Sequence, residues 1–302
     1  METFLDSTGA RAILEAARGL PPDGATRLEV SLDLNLGRAE VEVERDVFIH
    51  EGLAFPLADI ERAARSERKA FRCVREAEPR PWEVLEVFTD RYFQLVPTAA
   101  SPTLEVDGIQ MHRTSGVDPF EAAGDTARSV VRPGSRALDT CGGLGYTAIA
   151  CARLGAREVV STEPSEGVLH LRRLNPWSRL ERGLPIVLHE EDAVALAARL
   201  PDGSLDAIVH DPPRFSLAPD LYSGAFYAQL RRVLAPGGRL FHYTGSPYSR
   251  GRGRDFLRGV VERLRAAGFR AEPRPDLQGF ICSPAMEGRP ARAGASRRPR
   301  RP

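Results

Sequence analysis

An acid, a cluster of glycines and a diproline corner are the residues of this chain best placed to do chemistry together. In Ala137-Leu138-Asp139-Thr140-Cys141-Gly142-Gly143-Leu144-Gly145-Tyr146 an apolar run ends in a carboxylate, and a glycine-rich turn leads straight into a helical segment. Without side chains at Gly143 and Gly145 a ligand can approach the backbone closely, and a helix start presents N–H groups that have no intrahelical partner. Dinucleotide folds use similar glycines, so the turn by itself does not name the ligand. Glu163 ends the next apolar run, 24 residues after Asp139, where a carboxylate can grip a ribose through both hydroxyls. Asp192 follows a third run, and a fourth ends in Asp211-Pro212-Pro213-Arg214-Phe215.

Strands alternating with helices must position these groups. Arg136 to Asp139, Glu158 to Thr162, Pro185 to Leu188, Leu205 to His210 and Gly238 to Tyr243 read as strands, and two last strand-like pieces lie at Phe269 to Ala271 and Gly279 to Cys282. Between them Tyr146 to Leu154, Glu166 to Leu174, Ala193 to Leu200, Ser223 to Leu234 and Arg254 to Ala267 read as helices. Repeated units of this kind make an α/β fold, a Rossmann-like and mostly parallel sheet covered on both faces, with ligands at the carboxyl ends of its strands.

The preceding residues read differently. Thr8 to Arg18 is helix-like, Leu28 to Leu36 alternates apolar with polar residues as a half-buried strand does, and Ala39 to Val43 and Val47 to His50 continue an antiparallel meander. From Pro56 and Asp59 a helix is expected to about Arg75, with Arg62, Arg65, Arg68, Lys69, Arg72 and Arg75 on one face, either solvated or touching phosphate. Trp82 to Phe93 and Pro102 to Met111 supply further strands. The expected division is an α+β domain over 1–112 that could dock substrate, the parallel-sheet domain over 113–286, and a disordered Arg-rich tail over 287–302.

Taken as a set, DTCGGLGYTAI (Asp139 to Ile149), LNPWSR (Leu174 to Arg179), HDPPRFSLA (His210 to Ala218) and GGRLFHYTG (Gly237 to Gly245) resemble class I S-adenosylmethionine-dependent methyltransferases over Asp118 to Cys282. They look closest to a group of predicted methyltransferases, best known from archaea, described as spermidine synthase-like. The resemblance implies a seven-stranded methyltransferase sheet and S-adenosylmethionine as cofactor, held by Asp139, Cys141, Gly143, Gly145, Tyr146, Glu163 and Asp192, the last at the adenine amino group. Cys141 stands where the family turn has its first glycine. The family's acid-Pro-Pro-aromatic motif acts on the amines of cytosine, adenine or guanine, a carboxylate and a proline carbonyl accepting the amine N–H bonds. Here Asp211, Pro212 and Pro213 match it, Arg214 takes the aromatic slot and Phe215 comes one later; either the guanidinium plane or the shifted ring could stack on a base.

These residues imply a methyltransferase acting on an exocyclic base amine in structured RNA, rRNA or tRNA. Arg250, Arg252 and Arg254, on a glycine-rich loop, favour a phosphate-bearing substrate. Leu221-Tyr222-Ser223 through Phe226-Tyr227 to Pro236-Gly237-Gly238 also resembles spermidine synthases, so an aminopropyltransferase is the second reading, and a non-catalytic RNA-binding or assembly factor the third. His210 and His242 read as packed core histidines, and Tyr222 and Tyr227 as helix packing. Asn175, Trp177 and Ser178 either close over the cofactor or cap a helix.

Charge is unevenly spread: 13 basic and 21 acidic residues to His112, 23 and 19 from Arg113 to Met286, and 6 and 1 beyond. Among the 42 basic residues only Lys69 is a lysine. Four scattered cysteines and six histidines without metal-ligand spacing predict buried thiols and no metal. Without an apolar stretch of roughly 18 residues no membrane span is expected, and the reading is a soluble cytoplasmic protein of undetermined oligomeric state.

Overall fold

A computed structural model describes residues 2–74, 81–245 and 252–285. The amino-terminal part runs β1 (Glu2–Leu5), α1 (Ser7–Arg18), β2 (Ala25–Val30), β3 (Ala39–Glu44), β4 (Val47–His50), β5 (Leu53–Pro56), α2 (Leu57–Ala64), β6 (Phe71–Val74), β7 (Trp82–Val84), β8 (Glu86–Phe88), β9 (Tyr92–Val96), β10 (Thr103–Val106) and β11 (Ile109–Gln110). It forms three small antiparallel sheets, ordered β1-β6-β7, β2-β3-β4-β5 and β11-β10-β9-β8. The expected meander is the second of these.

Two expectations in this part are corrected. The strand expected over Leu28 to Leu36 ends at Val30, because Ser31 and Asp33 turn the chain: Ser31 Oγ takes the Asn35 N–H at 2.7 Å and Asp33 Oδ1 takes the Gly37 N–H at 2.9 Å. Leu34 and Asn35 adopt φ of 57° and 67°, and Leu32 and Leu34 are buried from a loop. The helix expected to reach Arg75 stops at Ala64, and Phe71 and Val74 lie on β6 beside β1. The basic residues therefore share no helix face. Arg65 pairs with Glu61, Arg68 with Glu105, Lys69 with Glu86 at 2.6 Å, and Arg72 with Glu2 and Glu83 at 3.0 and 2.8 Å, while Arg62 lies over the Phe71 ring. Arg75 lies outside the described residues.

The second part runs α3 (Pro119–Val130), β12 (Arg136–Asp139), α4 (Tyr146–Arg153), β13 (Glu158–Thr162), α5 (Glu166–Leu174), β14 (Ile186–His189), α6 (Ala193–Arg199), β15 (Leu205–His210), α7 (Gly224–Val233), β16 (Leu234–Tyr243), α8 (Arg252–Ala266), β17 (Phe269–Arg274) and β18 (Gly279–Pro284). One seven-stranded sheet has the order β14-β13-β12-β15-β16-β18-β17, in which β18 alone runs against the other six, which is the Rossmann-like, mostly parallel arrangement expected. Strand alternation sorts its side chains. Leu138, Val160, Ile208 and Leu240 pack under α6, α7 and α8, whereas Ala137, Val159, Val209 and Phe241 pack under α3 and α4. The order reverses between β12 and β15, so the crevice lies at their carboxyl ends. Helix α3 was not anticipated; Asp118 caps it by accepting the Phe120 N–H, and Pro119 occupies its first position. Among the described residues no helix is long and apolar enough to cross a membrane.

The two parts share a hydrophobic cluster in which Phe4, Leu34, Leu85, Phe93 and Leu104 meet Phe120, Leu144, Tyr146 and Leu171. Trp177 Nε1 donates to the Leu34 carbonyl at 2.9 Å, and Arg179 pairs with Glu2. At Gly167 a Cβ would lie 2.4 Å from the Phe93 ring. Gly167→Ala is therefore expected to destabilise the chain by about 1–3 kcal/mol through overpacking. Urea unfolding checks this, and an unchanged midpoint would mean that the ring gives way freely.

Candidate functional site

The glycine turn after β12 is shaped by what lies beneath it. Gly143 and Gly145 have φ of 49° and 86°, and the Gly142 and Gly145 N–H groups donate to Thr162 O and Gly142 O, both at 2.7 Å. A Cβ at Gly145 would meet the Arg172 guanidinium at 2.8 Å. Arg172, 2% exposed, donates to Gly143 O at 3.5 Å and pairs with Glu181 at 2.6 Å. Its charge acts on two neighbouring carboxylates, Asp139 and Glu163, partly offsetting the rise in pKa that burial imposes on each. Arg172 escaped the sequence reading; it lies on the apolar face of α5 with Val168 and Leu171, a place where an arginine signals a buried charge partner.

Asp139 is fully buried. Its Oδ2 accepts from Ser161 Oγ at 2.9 Å while Oδ1 has no hydrogen-bond partner, and burial pushes the carboxyl up to about 6. Glu163 accepts the Gly143 N–H at 2.9 Å and the Ser165 N–H at 3.0 Å, one on each oxygen, and burial raises its pKa as well. Asp192 caps α6, accepting from the Val194 N–H at 2.7 Å through Oδ1. Cys141 is a free thiol whose pKa burial raises. Tyr146 is anchored by donating to Pro102 O at 2.9 Å and accepting from Asn175 Nδ2 at 3.1 Å; Asn175 in turn donates to Ser178 Oγ. Asn175 and Ser178 thus brace the turn from behind.

A cavity of about 310 Å³ opens over this turn, within the usual range for small-molecule sites. It is lined by Cys141, Gly143, Tyr146, Glu163 and Asp192, and also by Asp211, Pro212 and Pro213, so residues far apart in the chain meet in one space. Asp139 and Gly145 lie behind the lining. A second cavity adjoins it and shares Met111, His112, Arg113, Tyr243 and the whole Asp211-Pro212-Pro213 corner. Burial, helped by the charge of Asp139 and opposed by that of Arg113, pushes Asp211 up to about 7. The Pro213 carbonyl accepts from Tyr222 OH at 2.9 Å, which leaves the Pro212 carbonyl without that donor. Tyr222, read as helix packing, therefore also holds the corner.

Arg214 lines the second cavity and not the first; Phe215 lines neither, is 48% exposed, and packs edge-on against Tyr222 at 5.5 Å. Arg250 and the side chain of Arg252 lie outside the described residues, and Arg254 is exposed on α8. Behind the corner His210 Nε2 donates to Leu221 O at 2.9 Å and His242 Nδ1 to Tyr243 O at 2.7 Å. Burial lowers both pKa values, that of His210 to about 4, so the pair is neutral. Among the described residues no three His, Cys, Asp or Glu side chains are grouped to hold a metal ion.

Comparison with known structures fits this topology. A spermidine synthase in complex with the transition-state analogue AdoDATO superposes with a TM-score of 0.54 at 14% identity, covering 65% of this chain and 71% of that one. The spermidine synthase of Thermotoga maritima gives 0.53 at 13% identity over 71% and 77%. The fold is that of the spermidine synthases. In sequence, the chain is 49% identical over 181 residues to an uncharacterized protein of Methanocaldococcus jannaschii, covering 59% of this chain and 62% of that protein. It is 31% identical over 162 residues to the polyamine aminopropyltransferase of Mycobacterium tuberculosis, 51% of this chain and 29% of that protein. It thus spans less than two thirds of either relative. No family model matches.

The raised carboxyl of Asp139 has a thermodynamic consequence. The folded chain holds this proton to about pH 6 while the ordinary value is 3.8, so the group's stabilisation is full below 3.8 and is lost as pH rises through about 6. Urea unfolding of wild type and Asp139→Asn between pH 4 and 7 should show the wild type losing stability with rising pH more steeply. Equal slopes would place Asp139 in a wetter setting than the one described.

Proposed function

We propose that this protein is an S-adenosylmethionine-dependent methyltransferase that acts on an exocyclic amine of a nucleobase in structured RNA. The observation that carries the reading is the wall between the two cavities, where the Asp211 carboxylate and the Pro212 carbonyl stand with nucleoside-type carboxylates on one side, Arg214 on the other and Arg113 lining both. The residues present fit the donor: Glu163 and Asp192 line one cavity as hydrogen-bond acceptors for ribose hydroxyls and an adenine amino group, and Gly143 leaves room for close approach. Bound there, S-adenosylmethionine supplies a methyl group already activated on a sulfonium.

The remaining work belongs to the chain. An aromatic amine is a poor nucleophile because its lone pair is delocalised into the ring, and two acceptors on its N–H bonds hold the amine and localise that pair. Asp211 Oδ and the Pro212 carbonyl are those acceptors, and the Tyr222 hydroxyl on the Pro213 carbonyl keeps the corner from turning. Asp211 takes up the amine proton, for which a pKa near the working pH suits it. Arg214 receives the charge of an RNA phosphate on the second cavity, where Arg68 is already paired with Glu105.

A second reading, aminopropyl transfer, is favoured by the spermidine synthase fold and the 31% identity to a polyamine aminopropyltransferase. It ranks lower because, of the three arginines on the second cavity, Arg68 is paired with Glu105 while Arg113 and Arg214 remain to repel a polyamine. Production of spermidine from putrescine would reverse the ranking.

Mass spectrometry of nucleosides from wild-type and deletion strains should show the loss of one N-methylated base, and labelled cofactor should transfer to RNA from the deletion strain. Asp211→Ala should lower that transfer by about 10²-fold or more. Because only the ionised carboxylate can take up the amine proton, the wild-type rate should fall as pH drops below about 7. Transfer to protein or metabolites but not RNA would remove the RNA assignment.

A further inference from the structure

We infer that Arg113 is the receptor for the carboxylate of the methyl donor, so that the nucleoside cavity selects S-adenosylmethionine over its decarboxylated form. The inference rests on the donor assignment above and goes beyond it in fixing which end of the donor is read. Two arginines line the nucleoside cavity. Arg91 is engaged, its Nη1 lying 3.3 Å from Asp107 Oδ2. Arg113 is half-buried and makes no hydrogen bond or ion pair with another described residue, although its charge is felt by Asp211 and Tyr243. A guanidinium withdrawn from water without an oxyanion is costly, and a bound carboxylate removes that cost through charge-assisted hydrogen bonds.

The two candidate donors differ at this point alone. S-adenosylmethionine ends in an ammonium and a carboxylate, whereas the decarboxylated donor of aminopropyl transfer ends in an ammonium only. The other charged residues on this cavity, Asp90, Glu163, Asp192 and Asp211, are acids that serve both donors. Arg113 serves one and repels the other. An acceptor phosphate is the competing source of an oxyanion, but Arg214 lines the second cavity alone, whereas Arg113 lines both. The division of labour that follows assigns Arg214 to the acceptor and Arg113 to the donor.

Calorimetric titration of the full chain with S-adenosylmethionine, decarboxylated S-adenosylmethionine and methylthioadenosine tests this without any acceptor. The wild type should prefer S-adenosylmethionine over the decarboxylated form by about 10- to 100-fold. Arg113→Gln should erase the preference and leave methylthioadenosine affinity within about twofold, and Arg113→Lys should keep part of the preference. The inference is overturned if Arg113→Gln retains the preference, if all three ligands weaken together, or if the wild type binds the decarboxylated donor at least as tightly. It is likewise overturned if donor affinities hold while binding of the RNA alone weakens, since Arg113 would then serve the acceptor. Should the preference behave as stated while no nucleoside loses a methyl group in the deletion strain, the RNA reading fails and the donor assignment stands.

Discussion

Two carboxylates and one guanidinium are buried together beneath a glycine turn, and the rest of the site depends on that arrangement. Asp139 ends β12, Glu163 follows β13 and Arg172 comes across from α5. Withdrawing any one of them from water alone would cost several kcal/mol, and the cost falls only when the three are held together. The seven-stranded sheet does the holding. Parallel pairing of Asp139 with Ser161 brings Glu163 beside the turn, and the Gly143 N–H closes the loop by donating to Glu163. The glycines are required because a Cβ at Gly142 or Gly145 would occupy space that Ser161 or Arg172 already fills.

From this buried cluster the influence extends to the second acidic residue of the crevice. Asp139 is uncompensated on one oxygen, and its charge is one of the reasons the Asp211 carboxyl stands at about 7. Arg113 opposes it. The protonation of the corner is thus set first by burial and then adjusted by one residue behind the cavity and one on its wall, so on the proposed reading donor and acceptor share an electrostatic environment. Behind the corner the neutral His210 and His242 pair supplies hydrogen bonds without adding charge, which leaves Asp139 and Arg113 as the groups that act most on Asp211.

The sheet elements of the second part were legible in the sequence within a few residues because a parallel strand buried on both faces reads as an unbroken apolar run bounded by turn residues. The meander before it was only partly legible. Leu32 and Leu34 keep the alternation of a strand while sitting in a turn, since their side chains reach the core from a loop held by Ser31 and Asp33. The basic stretch misled in a related way: helical spacing from Arg62 to Arg75 is compatible with a helix, yet the carboxylates that pair with Arg68, Lys69 and Arg72 come from β1, β7, β8 and β10 and leave no local trace. Asp139, Glu163 and Asp211 could be found because each ends an apolar run. Arg172, Arg113 and Tyr222 could not, because none of them ends an apolar run and their place at the crevice appears only once the chain is folded.

Those less legible residues share a feature that bears on how such a fold changes substrate. The acids at the strand ends and the glycine turn are set by the sheet itself. Arg113, Met111 and His112 lie on the segment joining the small sheets to α3, and Tyr222 lies between β15 and α7, so both belong to connections whose sequence can vary without disturbing the strands. A connection carrying acids makes the second cavity a place for cations; one carrying Arg113 and Arg214 makes it a place for anions. On the proposed reading, the sign of charge on these two connections is what sets this cavity apart from a polyamine site on the same fold.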